Sequence, residues 1–243
     1  MAPILGRLGP LIIYSFSLLW TLALMVALIY QWRGRPTQNS TRWLDLWLWL
    51  ISAALVGGRI GFVLANLEYF KAEPGQMWRI DKGGLAYHGV LLGAGLVLWR
   101  WQKTDPGIVA RLAIIVPWLH LAGWTACLLD GCGYGQTAPP GIWSAELPDQ
   151  YGLLDPRLQT QAIGILGSLL VLLLTVRWHQ VSPKSVRPFW ASWLMLGIIQ
   201  AGLAMLRADP ALMVEGWRLD FWLNVVVALL AAFALSRQNR MIE

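Results

Sequence analysis

The chain has 243 residues, 57% of them hydrophobic and 13% charged, with a mean hydropathy of +0.53. A soluble domain carries about twice that share of charge, so a soluble globular protein is excluded. The net charge of +6, from 19 Lys+Arg against 13 Asp+Glu, is spread over gaps between apolar stretches. No basic patch forms on a soluble surface, and a nucleic-acid groove is excluded with it.

Seven apolar stretches follow one another at 11–30, 43–66, 84–99, 108–128, 159–176, 190–206 and 217–236. About 20 helical residues, rising 1.5 Å each, cross the roughly 30 Å hydrocarbon layer. The pattern predicts an all-α polytopic membrane protein with seven transmembrane helices, forming a single integral-membrane domain over 1–243. The first stretch follows Gly9-Pro10 and precedes no small-x-small cleavage site, so it reads as a retained helix.

The gaps alternate in charge. The 31–42 gap holds Arg33, Arg35 and Arg42 and no acid, and 177–189 holds Arg177, Lys184 and Arg187 and no acid. Arg100, Lys103 and Arg111 face only Asp105, and Arg237 and Arg240 face only Glu243. In contrast, 67–83 balances Lys71, Arg79 and Lys82 with Glu68, Glu73 and Asp81, and 129–158 sets Arg157 against Asp130, Glu146, Asp149 and Asp155. Under the positive-inside rule the N-terminus is outside, the C-terminus is cytoplasmic, and the 67–83, 129–158 and 207–216 loops are external.

Of the 16 Trp, those at 43, 47, 49, 99, 101, 217 and 222 fall at segment ends, where indoles anchor at headgroup level. The 129–158 loop, rich in Pro and Gly, reads as irregular, and the external side as the more complex one. Cys127 and Cys132 stand at the external end of the fourth stretch. The compartment permits a disulfide, but the spacing does not imply one, and two free thiols at a helix end are the simpler expectation. His120 adds a third soft ligand on paper, without the companion motif that a zinc site requires.

Polar groups inside apolar stretches point to function, because burial in lipid is unfavourable. Arg59 lies in Gly57-Gly58-Arg59-Ile60-Gly61-Phe62, and His88 in Gly83-Gly84-Leu85-Ala86-Tyr87-His88-Gly89. Topology places both in the outer half of the membrane, facing one cavity that opens outward. The competing reading has Arg59 snorkelling to phosphates and His88 joining two helices. A third cluster, Asp130-Gly131-Cys132-Gly133-Tyr134-Gly135, has more glycines than a helix stop needs.

These blocks resemble the prolipoprotein diacylglyceryl transferase family. Gly9-Pro10 with Ile13-Tyr14-Ser15-Phe16, then Gly57–Leu64, Gly83–Gly93 and Thr160-Gln161 carry the likeness, which spans residue 9 to about residue 220. The chain departs from the family pattern at Trp124 and Gln200, where arginines are expected, and at Asp130 and Cys132, in place of asparagine and glutamate. The resemblance implies a bacterial inner-membrane enzyme that moves a diacylglyceryl group from phosphatidylglycerol, or a related anionic phospholipid, to the lipobox cysteine of a prolipoprotein. It implies no cofactor, metal or nucleic acid.

Carried over residue by residue, His88, Arg59 and Asp130 are the candidate catalytic groups. His88 is the general base or an orienting donor, Arg59 contacts the headgroup phosphate, and Asp130 orients a donor or the glycerol hydroxyls. Tyr14, Gly84, Tyr87, Gly89, Gly131, Tyr134, Gly135, Gln161 and Arg207 are the candidate substrate-binding positions. The missing arginines keep two alternatives open: a noncatalytic lipid- or protein-binding protein on the same scaffold, and a transferase with another lipid or acceptor. A small transporter is disfavoured, because the motifs concentrate externally.

Overall fold

A computed structural model describes residues 3–9, 11–34, 40–80 and 83–239. Pro10, Arg35, Asp81, Lys82, Arg240 and Glu243, used above, lie outside these. The described residues divide into two compact units, one drawn from 1–33 and 110–243 and the other from 34–109.

The first unit opens with a hairpin, β1 (Ile4–Leu8) and β2 (Leu11–Tyr14), followed by α1 (Ser15–Arg33). The first apolar stretch was expected to be helical from residue 11. Its first four residues instead pair as a strand, and the helix begins at Ser15, whose amide and hydroxyl both donate to the Pro3 carbonyl. The fourth stretch is also divided. The short α5 (Pro106–Arg111) gives way at residues 112–114 to α6 (Ile115–Asp130).

Beyond α6 come the hairpin β3 (Ser144–Pro148) and β4 (Leu154–Leu158), then α7 (Thr160–Val181) and α8 (Arg187–Leu206). The tight hairpin β5 (Met213–Val214) and β6 (Trp217–Arg218) precedes α9 (Leu219–Asn239). Within this unit α1 packs on α6, α6 on α7, α7 on α8 and α8 on α9. The core lies along α8, where Phe189, Trp190, Trp193 and Leu196 are buried and Gly197 meets Ala228 of α9.

The 129–158 loop therefore contains ordered β-structure rather than an irregular run. Its turn is set by Asp149, whose Oδ1 accepts the amides of Tyr151 at 2.8 Å and Leu153 at 3.0 Å, with Gly152 at φ +81°. Such an Asx turn followed by glycine reverses the chain without strain.

The second unit comprises α2 (Ser40–Ala65), the short α3 (Leu67–Ala72), a 3₁₀ turn (Pro74–Trp78) and α4 (Tyr87–Trp101). Helices α2 and α4 pack antiparallel, Ala53 against Gly93, Gly57 against Gly89 and Gly61 against Ala86. A β-carbon on Gly89 would overlap the Gly57 carbonyl, so the two backbones touch only because side chains are missing. Between apolar helices in lipid, such close approach supplies the packing that the hydrophobic effect cannot. Trp43 is 7% exposed and its ring stands 6.1 Å from that of Trp47, so the indole packs against the protein.

Six helices are long and apolar enough to cross a membrane: α1, α2, α5 with α6, α7, α8 and α9. The protein is a mostly helical, multi-pass membrane protein. The remaining apolar stretch, 84–99, corresponds to α4, which has 15 residues.

Candidate functional site

In the second unit, Arg59 is 8% exposed and is enclosed by the backbone of the segment that leads into α4. Its Nε donates to the Met77 carbonyl at 2.7 Å and Nη2 to that of Gln76 at 2.5 Å. Nη1 donates to the carbonyls of Gly83 at 2.8 Å and Gly84 at 3.1 Å. The rings of Phe62 and Phe70 lie 5.5 and 5.4 Å from the guanidinium carbon. The planar fork of arginine, with donors fixed in several directions, can hold two stretches of chain at once.

The glycine pair is what allows this. Gly83 and Gly84 take φ of +78° and +86°, turning both carbonyls onto the guanidinium, and a β-carbon on Gly84 would stand 2.5 Å from Phe62. The Ala86 amide then donates to the Gly58 carbonyl at 2.9 Å, and α4 begins at Tyr87. His88, half-buried, follows one residue later with its ring 5.0 Å from that of Tyr87, itself 41% exposed. Gly89 is buried in the α2 contact. Thus Arg59, Gly84, Tyr87, His88 and Gly89 are brought together, with the Arg59 guanidinium buried against the main chain. Its hydrogen bonds go to four main-chain carbonyls, two of them presented by the glycine pair, where a phosphate was expected.

In the first unit, α6 ends at Asp130, which is exposed. Gly131 adopts the left-handed conformation, and its amide and that of Cys132 both return to the Cys127 carbonyl, at 2.8 and 3.1 Å. This reversal brings Cys132 over Cys127, and the two form a disulfide. The expectation of free thiols is corrected here: the glycine cap cancels the separation that a continuing helix would have imposed. Gln161 is fully buried and donates to the Cys132 carbonyl at 2.9 Å, and Thr160 donates to that of Gly133 at 2.5 Å.

Next, Gly135 bridges to Arg207 and Gln136 takes the Leu206 carbonyl, while the Leu158 amide takes that of Gln136. The segment is stitched between the end of α8 and β4. Tyr134 is buried under Arg157, 5.2 Å from its ring centre, and its hydroxyl accepts the Gln150 amide. Tyr14 is half exposed at the end of β2.

Replacing Cys127 and Cys132 together with serine should lower the stability of this loop by about 2 kcal/mol, the chain-entropy value for so short a closed loop. Limited proteolysis within 134–158 reads the effect, and membrane insertion should be unchanged.

Arg207 lies just past α8. It forms a two-pronged pair with Asp209, at 2.7 and 2.5 Å, and stands 3.7 Å from Asp220. Burial disfavours its charge, yet the hydrogen bonds and charge of Asp209 and the charge of Asp220 hold its pKa above the usual arginine value. Arg218, 8% exposed, bonds to the Asp209 carbonyl and pairs with Asp209 at 3.4 Å and Asp220 at 3.2 Å. Two cations and two carboxylates thus interlock. Arg218 and Asp220 were missed as site candidates, although charges inside the 217–236 stretch are a signal for one.

The match to known proteins covers the same ground. A family description, prolipoprotein diacylglyceryl transferase, fits residues 3–237. The chain belongs to the prolipoprotein diacylglyceryl transferase family. A relative from Rhodospirillum centenum is 30% identical over 192 residues, covering 74% of this chain and 69% of its own. Relatives from Streptococcus pneumoniae serotype 4 and Idiomarina loihiensis are 25% and 26% identical, over 98% and 96% of this chain and 94% and 91% of theirs. All three carry the name phosphatidylglycerol–prolipoprotein diacylglyceryl transferase.

In this diacylglyceryl transferase family chain, Trp124 stands where the resemblance implied an arginine. The indole is buried, packs on Gly164 so closely that a β-carbon there would overlap it, and lies 6.0 Å beneath Arg207. The indole is thus an apolar platform under Arg207.

Proposed function

We propose that the protein transfers the diacylglyceryl group of phosphatidylglycerol to the lipobox cysteine thiol of a prolipoprotein, in the bacterial cytoplasmic membrane. The observation that carries the reading is His88, held at the start of α4 by a segment whose shape Arg59 dictates. In the reaction the His88 imidazole takes the thiol proton, and the thiolate attacks the glyceryl carbon. A carbon–sulfur bond forms, the carbon–oxygen bond to phosphate breaks, and the electron pair leaves with glycerol phosphate. A free thiol, with a pKa of about 8.5, needs such a base near neutral pH. Arg207 is the candidate phosphate partner, and Arg59 a positioning group.

For topology we assign an external N-terminus, a cytoplasmic C-terminus and α4 as a seventh span. Its 15 residues rise about 22 Å, and the extended residues before it add length. The alternating basic gaps support the orientation.

A specific observation favours the noncatalytic reading. Trp124 fills a place where cationic charge is expected, and Arg207 is already paired with Asp209. One assay separates the two. Purified protein in phosphatidylglycerol liposomes is given a lipobox peptide, and the thioether product and released glycerol phosphate are measured. Equal amounts of both are expected. No product, under conditions where a conventional family member is active, would establish the noncatalytic reading. For orientation, Glu146→Cys should react with an impermeant maleimide from outside and Arg177→Cys only after permeabilisation.

A further inference from the structure

The second unit carries a surface feature that the transfer reaction does not use. Toward the start of α2 and the end of α4 lies a groove of about 580 Å³, lined by Trp49, Leu96, Val97, Arg100, Trp101 and Thr104. Its floor is apolar and open: Leu96 is 72% and Trp49 63% exposed. Arg100 lines it about one helical turn beyond Leu96. Among the described residues Arg100 has no hydrogen-bond or ion-pair partner, and Asp45, one turn before Trp49 on α2, does not pair with it. The Thr104 hydroxyl donates to the Trp101 carbonyl at 3.1 Å and leaves only acceptor capacity outward. The cation is therefore the group that would choose a headgroup.

We propose that this groove seats one anionic phospholipid of the cytoplasmic leaflet, separate from the lipid consumed in transfer. The acyl chain lies along Leu96, Val97 and Trp49, and the phosphate faces Arg100. The chemistry fits at each level. An exposed apolar floor lies where hydrocarbon would meet it, and an indole and a guanidinium lie at the helix end, where headgroups stand. The unpaired charge there is positive, next to Lys103 in the same gap. A basic residue near an anionic leaflet contributes attraction that a zwitterionic lipid does not return. A soluble anion would gain nothing from the apolar floor, so the occupant is a lipid. The choice of leaflet rests on the orientation proposed above; the choice of headgroup does not.

The test uses the full chain in proteoliposomes containing phosphatidylglycerol with a photoreactive acyl chain, and maps labelled peptides by mass spectrometry. Label is expected on the peptides carrying Trp49 and Leu96–Val97. Dioleoylphosphatidylglycerol should displace it about fivefold better than dioleoylphosphatidylcholine. Arg100→Gln should remove that preference and Arg100→Lys should keep it, with labelling of the His88 peptide and transfer activity unchanged in both. Equal displacement by the two lipids, or a preference that survives Arg100→Gln, would overturn the proposal and leave a nonselective boundary lipid. Because the labelling pattern does not depend on turnover, an inactive parent protein would not disturb it. Reaction of Lys103→Cys with an impermeant maleimide from outside would overturn the leaflet alone.

Discussion

Replacing His88 with alanine is expected to lower the rate of diacylglyceryl transfer at least about tenfold, because positioned acid–base groups contribute about 10²–10⁴-fold. The thiol must lose its proton before or as sulfur attacks, and His88 is the imidazole that the clasped segment delivers at the start of α4. The loss should fall on kcat, with the apparent KM for phosphatidylglycerol little changed, since proton transfer contributes in the transition state and not in lipid binding. His88→Gln, which keeps polarity and approximate size, should be no better. The substitution leaves Arg59 and its carbonyls in place, so the protein should still insert and fold, with at most the small loss of the Tyr87 ring contact. A correctly inserted His88→Ala protein with full activity would remove His88 from the mechanism.

Arg59→Ala should behave differently. Four main-chain carbonyls, from Gln76, Met77, Gly83 and Gly84, lose a charged donor together. A buried polar group left without a partner costs about 1–3 kcal/mol. The loop can recover part of this from water, so a net destabilisation of about 2–3 kcal/mol is expected, with new protease cleavage between residues 76 and 84. Activity falls through kcat, because the approach to His88 is no longer held. Arg59→Lys should not rescue it: one ammonium cannot place donors on two separate stretches of backbone as the fork does. A direct phosphate contact would give the opposite pattern, with a raised KM for lipid, unchanged stability and partial rescue by lysine. That result would restore the role first expected for Arg59.

Both expectations turn on the same glycine-rich motif, and its two halves were unequally legible. Gly83-Gly84…His88 drew attention as a run that an ordinary lipid-facing helix does not need, and the family resemblance rested largely on it. What the glycines do was not legible. Their positive φ angles turn two carbonyls onto an arginine 24 and 25 residues away, a contact fixed only when α2 and α4 close on each other. The same limit applied to the cysteines. A helix keeps residues five apart on different faces, and only the left-handed turn at Gly131 brings Cys132 back over Cys127.

The sequence by itself determined the membrane class, the rough extent of the long apolar helices and the family, because these depend on composition, length and short local motifs. The tertiary structure alone decided where charge is spent. Arg59 went to backbone carbonyls, Arg157 to Asp149, Asp155 and the ring of Tyr134, and Arg207 with Arg218 to Asp209 and Asp220. Hydropathy treats each of these as one isolated penalty in a window. Some partners, such as Asp155 for Arg157 and Asp209 for Arg207, are only two residues away, but Arg59 with Gly83 and Gly84, Arg157 with Asp149 and Arg218 with Asp209 meet only once the helices and hairpins have packed.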